Sequence, residues 1–411
     1  MVISDMEKYK RIIKYIIIFC VIVLIIDLII ILYTNEKNKN KKTYFDSINS
    51  FEVVDKNFVA VGSNNNNEKQ YEKAKITKYS GKSEKLWEKI YNKGYNSSFF
   101  GIKQDGEDYI AVGNYESSKE EKKNKVRSAL IVKYDAAGNI LYENNLQILG
   151  NSKFTNLLVL DDGYIVIGQS IYENMTLGMS DNGGAIIVKY DKNLKEVWRK
   201  NYGGSKSGIY NDLILMNDYI YTVGKDSSNT GIVSKYDLAG NMIKTTNYNY
   251  TDSIGLTGIT SYNNKIYVVG SKKVFDTNTY DTDDTDALLI KYDSDCDYLS
   301  EVTYKGKGLE RFNRIILDDN RLVIIGQTGI YNKKKSKNID VYNYNGIFAK
   351  YSTNLKELKN EEYALDVDDY FTDVKKYNNN YMISGYSEYE DNNYLSKFII
   401  YSRAGKLIGA Q

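Results

Sequence analysis

The sequence predicts an all-β, seven-bladed β-propeller behind a single N-terminal transmembrane helix, and three observations carry that expectation. One apolar run occupies residues 12–33. A short β-type run ending in glycine then recurs seven times, at Gly62, Gly113, Gly168, Gly224, Gly270, Gly326 and Gly385. A second run follows each one and ends at Tyr79, Tyr134, Tyr190, Tyr236, Tyr292, Tyr351 and Tyr401. The glycines stand 51, 55, 56, 46, 56 and 59 residues apart, a period that suits a four-stranded blade and is too long for one coil of a parallel β-helix.

In chain order, the apolar run IIKYIIIFCVIVLIIDLIIILY supplies about the 20 residues that a spanning helix needs. No small-x-small cleavage site follows it, and Ile18 and Phe19 precede Cys20 where a lipobox wants small residues, so the segment reads as an uncleaved anchor. Lys8, Lys10, Arg11 and Lys14 on one flank balance Lys37, Lys39, Lys41 and Lys42 on the other. A first hydrophobic segment ahead of a large soluble domain favours a signal anchor with residues 1–11 as a short cytoplasmic tail. The expected location is the cell membrane, single-pass, with the propeller extracytoplasmic. Asp27 lies within the span and is either tolerated near the outer interface or paired with another membrane helix. A polar basic linker over residues 34–42 leads into the propeller, residues 43–411, with blades over 43–97, 98–151, 152–208, 209–255, 256–310, 311–369 and 370–411.

Each unit offers four strands. The first is marked by pairs such as Phe154/Leu157, Tyr210/Leu213, Phe312/Ile315 and Phe371/Val374, and the fourth by Trp87, Tyr142 or Trp198. The two middle runs are continuously apolar, as strands covered on both faces must be. Polar clusters precede every second strand: Asp55-Lys56-Asn57, Asp105-Gly106, Asp162-Gly163, Asn217-Asp218, Asn263-Asn264, Asp319-Asn320 and Asn379-Asn380. They predict tight hairpins. Between strands three and four, the turns from Asp135 to Gly138 and from Asp237 to Gly240 each place a glycine where a left-handed residue is wanted.

Composition narrows the chemistry. With no proline in 411 residues, every turn is made by Gly, Asn, Asp and Ser. With no histidine, imidazole acid/base chemistry, Ser-His and Cys-His nucleophile pairs and His-ligated metal sites are all absent. Cys20 and Cys296 are the only cysteines, which leaves no intrachain disulfide framework and no CxxC metal site. The net charge is +2, of which residues 1–42 carry +4, so the propeller is mildly acidic and no nucleic-acid partner is expected.

Blade three reads Asp162-Gly163-Tyr164-Ile165-Val166-Ile167-Gly168, then Ala185-Ile186-Ile187-Val188-Lys189-Tyr190-Asp191, then Val197-Trp198 through Tyr202-Gly203-Gly204. This resembles the DGGYIVxG, IVKLDxxGxxxW, YGG propeller repeat of secreted and surface bacterial proteins. The resemblance runs through all seven units and is weakest in the last, where Ile400 replaces the lysine. It implies an extracytoplasmic propeller of the quinoprotein-like superfamily and supplies no catalytic residues. Quinoprotein dehydrogenases themselves match poorly, since no adjacent cysteine pair is present.

Loop lengths point to one face. From the second-strand glycine to the residue before the blade tyrosine the distance is 16, 20, 21, 11, 21, 24 and 15 residues, so insertions collect between strands two and three. Variable loops on one face mark a binding face. Tyr115, Tyr172, Tyr280, Tyr331, Tyr342, Tyr344, Tyr386 and Tyr389 are the candidate ligand contacts there, because tyrosine offers a rigid apolar face with a polar tip. Asp281, Asp283, Asp284 and Asp286 are a candidate Ca²⁺ set, although the loop lacks the glycine and terminal Glu of an EF-hand. No other cofactor is expected. Arg311, Arg314 and Arg321 read as structural rather than as an anion clamp.

Three functions compete. The first is a cell-surface binding or scaffold module for a glycan or protein partner. The second is a carboxylate-based carbohydrate-active enzyme, which two facing carboxylates in the central funnel would reveal. The third is an accessory subunit of a membrane complex. The missing histidine weights the balance toward binding.

Overall fold

The computed structural model describes residues 44–65, 71–117, 127–146, 151–171, 184–202, 208–226, 228–248, 254–273, 285–306, 308–331, 342–364, 367–389 and 393–410, all within one unit, Tyr44–Gln411. The tail, the apolar segment and the linker lie outside them, and no helix of the described residues is long and apolar enough to cross a membrane.

The described chain forms seven antiparallel sheets of four strands, each built from four consecutive strands: a seven-bladed β-propeller. The first strands, which line the central channel, are Asp46–Val54, Ser97–Asp105, Asn151–Leu160, Ile209–Met216, Ile254–Tyr262, Arg311–Asp318 and Asp368–Tyr377. No sheet borrows a strand from the far end of the chain.

Seven apolar layers, one between each pair of neighbouring blades, take the place of a single core. In blade two, Ile110 and Val112 pack toward Phe154 and Leu157 of blade three, while Tyr109 and Ala111 pack toward Val59 and Ile76 of blade one. Both faces of a middle strand are therefore dry, which is why its sequence does not alternate. Each such Val, Ile, Leu or Phe side chain contributes about 1.5–3 kcal/mol on burial.

A paired device explains the glycine of each repeat. Every first strand carries a β-bulge whose extra residue is Asn49, Phe100, Thr155, Asn211, Thr257, Asn313 or Thr372. The distorted strand presses a carbonyl onto the second strand, so that a Cβ on Gly168 would lie 2.0 Å from the Lys153 oxygen. At the other six repeat glycines the corresponding distance is 1.9–2.2 Å. Only a residue without a side chain fits there.

The other repeat letters also have structural tasks. The residue after the blade tyrosine closes the hairpin: Asp135 Oδ1 accepts the amides of Ala137 and Asn139, and Asp191 Oδ1 those of Asn193 and Lys195. The blade lysine reaches the next blade, as when Lys133 Nζ, held by Asp105 of its own blade at 3.1 Å, donates to the Tyr164 hydroxyl of blade three at 3.3 Å. The fourth residue after each tyrosine is left-handed in all seven blades: Ser83, Gly138, Leu194, Gly240, Cys296, Leu355 and Gly405. At Gly138 and Gly240 the open side is filled by Trp87 and Trp198 of the preceding blade, whose ring atoms lie 2.8 and 2.9 Å from where a Cβ would stand.

Between strands one and two, Asn217-Asp218 and Asn263-Asn264 have both residues at positive φ, as a two-residue type I′ hairpin requires. In blades two, three and seven the turn falls one residue from the predicted pair, on Gly106-Glu107, Asp161-Asp162 and Asn378-Asn379.

The ring closes without strand exchange. Phe45 and Tyr394 form a parallel bridge, and the Tyr394 amide donates to the Tyr44 carbonyl at 2.8 Å. Behind it, the layer between blades seven and one is rich in rings: Phe398 lies 5.5, 4.9 and 5.3 Å from Phe51, Phe58 and Tyr79.

Candidate functional site

The bulge residues point into the channel and clasp the next blade. Asn49 Nδ2 donates to the Phe99 carbonyl at 2.7 Å, Thr155 Oγ1 to Tyr210 at 2.6 Å and Asn211 Nδ2 to Leu256 at 2.7 Å. Thr257 Oγ1 donates to Phe312 at 2.6 Å, Asn313 Nδ2 to Phe371 at 2.8 Å and Thr372 Oγ1 to Ile48 at 2.7 Å. Six of seven joints are closed this way. At the seventh the bulge residue is Phe100, whose ring lies 5.7 Å from Lys153 Nζ.

On the variable-loop side of this belt lies an open chamber of about 310 Å³. Its cations are Lys153, Arg311 and Arg314, and its aromatic wall is Phe100, Tyr370, Phe371 and Tyr386. Arg314 is committed, donating to the Thr257 carbonyl at 2.8 Å. Arg311 donates to neutral Gln327 at 3.0 Å. Burial lowers the Lys153 pKa, and the positive charges of Arg127 and Lys225 lower it further. No Asp or Glu is among the described residues that line the chamber.

A crescent of rings runs from the chamber wall across blades six, seven and one. Tyr344 lies 5.4 Å from Tyr370, Tyr370 stacks on Tyr386 at 4.9 Å and 23°, Tyr386 meets Tyr394 at 5.8 Å, and Tyr394 meets Phe45 at 5.2 Å. Of the predicted tyrosines, Tyr344 and Tyr386 thus come together, with exposed Tyr389 at the end of the Tyr386 strand. Tyr115 stands apart in blade two, where Asn145 donates to its hydroxyl at 2.7 Å. Tyr331 and Tyr342 are paired in blade six by strand register. Tyr172, Tyr280, Asp281, Asp283 and Asp284 lie outside the described residues, and Asp286 is buried in the third strand of blade five.

On the hairpin side of the belt is a second cavity of about 320 Å³, and its acids are structural. Asp212 accepts from Asn156 at 2.7 Å and from the amides of Leu213 and Ile259 at 2.9 and 3.1 Å. Asp373 accepts from Ser50 at 2.8 Å and from the Val374 amide at 2.9 Å. Burial opposes its ionisation, but Lys375, Arg314 and the Ser50 bond outweigh burial and hold the carboxyl below the usual range. Lys103 and Lys375 pair with Glu52 at 2.9 and 3.1 Å.

A third cavity, of about 400 Å³, opens between blades one and two and shares Asn49, Phe100 and Tyr386 with the chamber. Glu72 lines it, and burial raises its pKa, with Arg127 opposing and Glu116 adding to the rise. Glu116 accepts from Asn96 at 2.8 Å and from Arg127 at 3.1 Å.

Sequence reasoning missed Lys153, Tyr370, Tyr394 and Phe45, and it read Arg311 as structural. The signal for three of the chamber residues was present: Lys153, Arg311 and Tyr370 each immediately precede the first-strand aromatic.

No family model matches the chain, and no curated protein matches its sequence. Among solved structures it is similar to the Dos1 propeller, with a TM-score of 0.52 at 10% identity over 90% of this chain and 86% of that one. It is also similar to Sqt1 from Chaetomium thermophilum, with a TM-score of 0.49 at 9% identity over 89% and 85% of the two chains. At these identities the likeness is one of fold.

Proposed function

We propose that this protein is a glycan-binding propeller held at a membrane by residues 12–33, with its variable-loop face presented outside the cell. The repeat resemblance supports an extracytoplasmic, quinoprotein-like bacterial setting, and the uninterrupted apolar segment supports the anchor. A propeller is commonly a binding or scaffold module, and the fold itself confers no activity. The observation that carries the glycan reading is the ring crescent beside an open chamber: flat, polar-tipped faces of the kind on which sugar rings stack.

Retention of the full chain, in neutral detergent, on immobilised cell-surface polysaccharides tests the reading. Retention that disappears in a Tyr370→Ala/Tyr386→Ala variant of unchanged thermal stability supports it, and no retention on any polysaccharide refutes it. Protease accessibility of the C-terminal end on intact cells tests the orientation.

Hydrolysis is the second reading, and the observation that favours it is a pair of carboxyls, Glu72, whose pKa burial raises, and nearby Glu116, which accepts from Arg127 at 3.1 Å. Release of reducing ends from a bound polysaccharide, lost in Glu72→Gln, would establish it.

A further inference from the structure

We infer that the chamber at the channel mouth recognises the acidic group of a saccharide, a carboxylate or phosphate carried on a sugar ring, between Lys153 and Arg311. The inference rests on the glycan reading above and specifies the class of sugar.

The two cavities along the channel differ in their lining charge: Asp212 and Asp373 line the one toward the hairpins, and no carboxylate among the described residues lines the chamber. Toward the hairpins, Lys103 and Lys375 are matched by Glu52, and Lys375 also lies 3.7 Å from Asp373. Toward the variable loops ion pairs also form, Lys75 with Asp46, Lys397 with Asp369 and Arg127 with Glu116, but none of these groups lines the chamber. Among the described residues no carboxylate comes within ion-pair distance of Lys153 or Arg311. Lys153 faces the ring of Phe100, and Arg311 faces a neutral amide. Lys153 is half-buried and Arg311 exposed, and an anion seated between them would supply a counter-charge that neither has among the described residues. Burial, with the charges of Arg127 and Lys225, lowers the Lys153 pKa.

The neutral donors around the belt are largely spent. Asn49, Asn211, Asn313, Thr155, Thr257 and Thr372 each serve an inter-blade clasp. The cationic groups are what remains to orient a ligand, and an ionised acceptor makes the strongest bond with them. Tyr370 and Tyr386, stacked on each other and lining the same chamber, give the attached ring an apolar wall. At about 310 Å³ the chamber lies at the low end of small-molecule sites, the size for one terminal sugar rather than a threaded polymer.

Titration calorimetry on the full chain in neutral detergent tests this with four probes: tetragalacturonate, its fully methyl-esterified form, glucose 6-phosphate and glucose. The expected result is that an acidic probe binds at least about tenfold more tightly than its neutral partner, with the advantage shrinking as salt rises. Lys153→Met and Arg311→Met should each weaken the acidic probe about tenfold and leave the neutral one unaffected. Lys200→Met, on the exposed outer strand of blade three, should change neither. Equal binding of acid and ester overturns the inference and leaves the glycan reading standing. Binding of neither saccharide class overturns both.

Discussion

Thr372→Val removes one hydroxyl from the joint between blades seven and one, the joint that the chain itself does not cross. The replacement is close to isosteric, so packing stays and the hydrogen bond goes. Thr372 Oγ1 lies 2.7 Å from the Ile48 carbonyl and 3.0 Å from Ser384 Oγ, and valine makes neither bond. A net hydrogen bond contributes about 0.5–1.5 kcal/mol, so the expected destabilisation from losing both is about 1–3 kcal/mol. Thr257→Val makes the same chemical change at a joint bridged by the chain, where the bond to Phe312 is 2.6 Å. The two variants should therefore lose similar global stability and differ in where they open. Global stability is read by guanidinium unfolding followed on Trp87 and Trp198, the only two tryptophans, both within the propeller. Local opening is read by hydrogen exchange of the Tyr394 amide, which bonds to Tyr44 across the seam. That amide should exchange about 5- to 150-fold faster in Thr372→Val and at the wild-type rate in Thr257→Val. Equal exchange at Tyr394 in the two variants, or a Thr372→Val stability within about 0.3 kcal/mol of wild type, refutes the clasp argument.

Three further outcomes are expected. Ser83→Gly should stabilise the protein by about 0.5–1 kcal/mol in the same unfolding assay, because Ser83 sits at φ 63° and its buried hydroxyl has no partner. Gly168→Ala should destabilise by about 1–3 kcal/mol, since its Cβ would meet the Lys153 carbonyl at 2.0 Å and the bulge must yield. The third concerns acid. Burial opposes ionisation of Asp105, but bonds from Lys192, Tyr164 and Lys133 outweigh it and hold the carboxyl at about 2. A depressed carboxyl contributes stability above its unfolded pKa of about 3.9 and loses it as the pH falls toward the folded value. Asp105→Asn should therefore be less stable than wild type at neutral pH, with the gap narrowing between about pH 4 and about pH 2 in acid titrations followed by fluorescence. An unchanged gap would falsify the assignment of that ion cluster.

The blade count was legible because each repeat letter answers a local physical demand. The repeat glycine meets a carbonyl, the residue after the blade tyrosine caps a hairpin, and the blade lysine reaches the next blade. Asn217-Asp218 was readable as a two-residue turn for the same reason, since its left-handed backbone suits few residue types. The non-glycine residues Leu194, Cys296 and Leu355 at left-handed positions were not readable, because their own burial offsets the strain. The chamber was hidden for a different reason. Lys153, Arg311 and Tyr370 come from three separate blades, and only ring closure sets them around one opening. Their shared place immediately before the first-strand aromatic is a signature of position within a blade and not of the opening they surround. The Asn or Thr that follows the first-strand apolar residue in six of seven units was such a signature, for the clasp rather than for the ligand.

That every sheet is made of four consecutive strands has a consequence for how such a chain can be rearranged. Where a terminal strand completes a distant sheet, adding or deleting a unit breaks a hydrogen-bonded ladder at the seam. Here a duplication of one unit inserts a whole blade and moves no strand from one sheet to another. The gene is thus free to gain, lose or shuffle units, and the molecule tolerates new termini at any crossing between blades, provided the residues that meet at the old seam are joined by a linker. Six of the seven joints share the same Asn or Thr clasp, and the joint at the seam is one of them. A circular permutant opened between blades three and four is the direct physical expression of that equivalence.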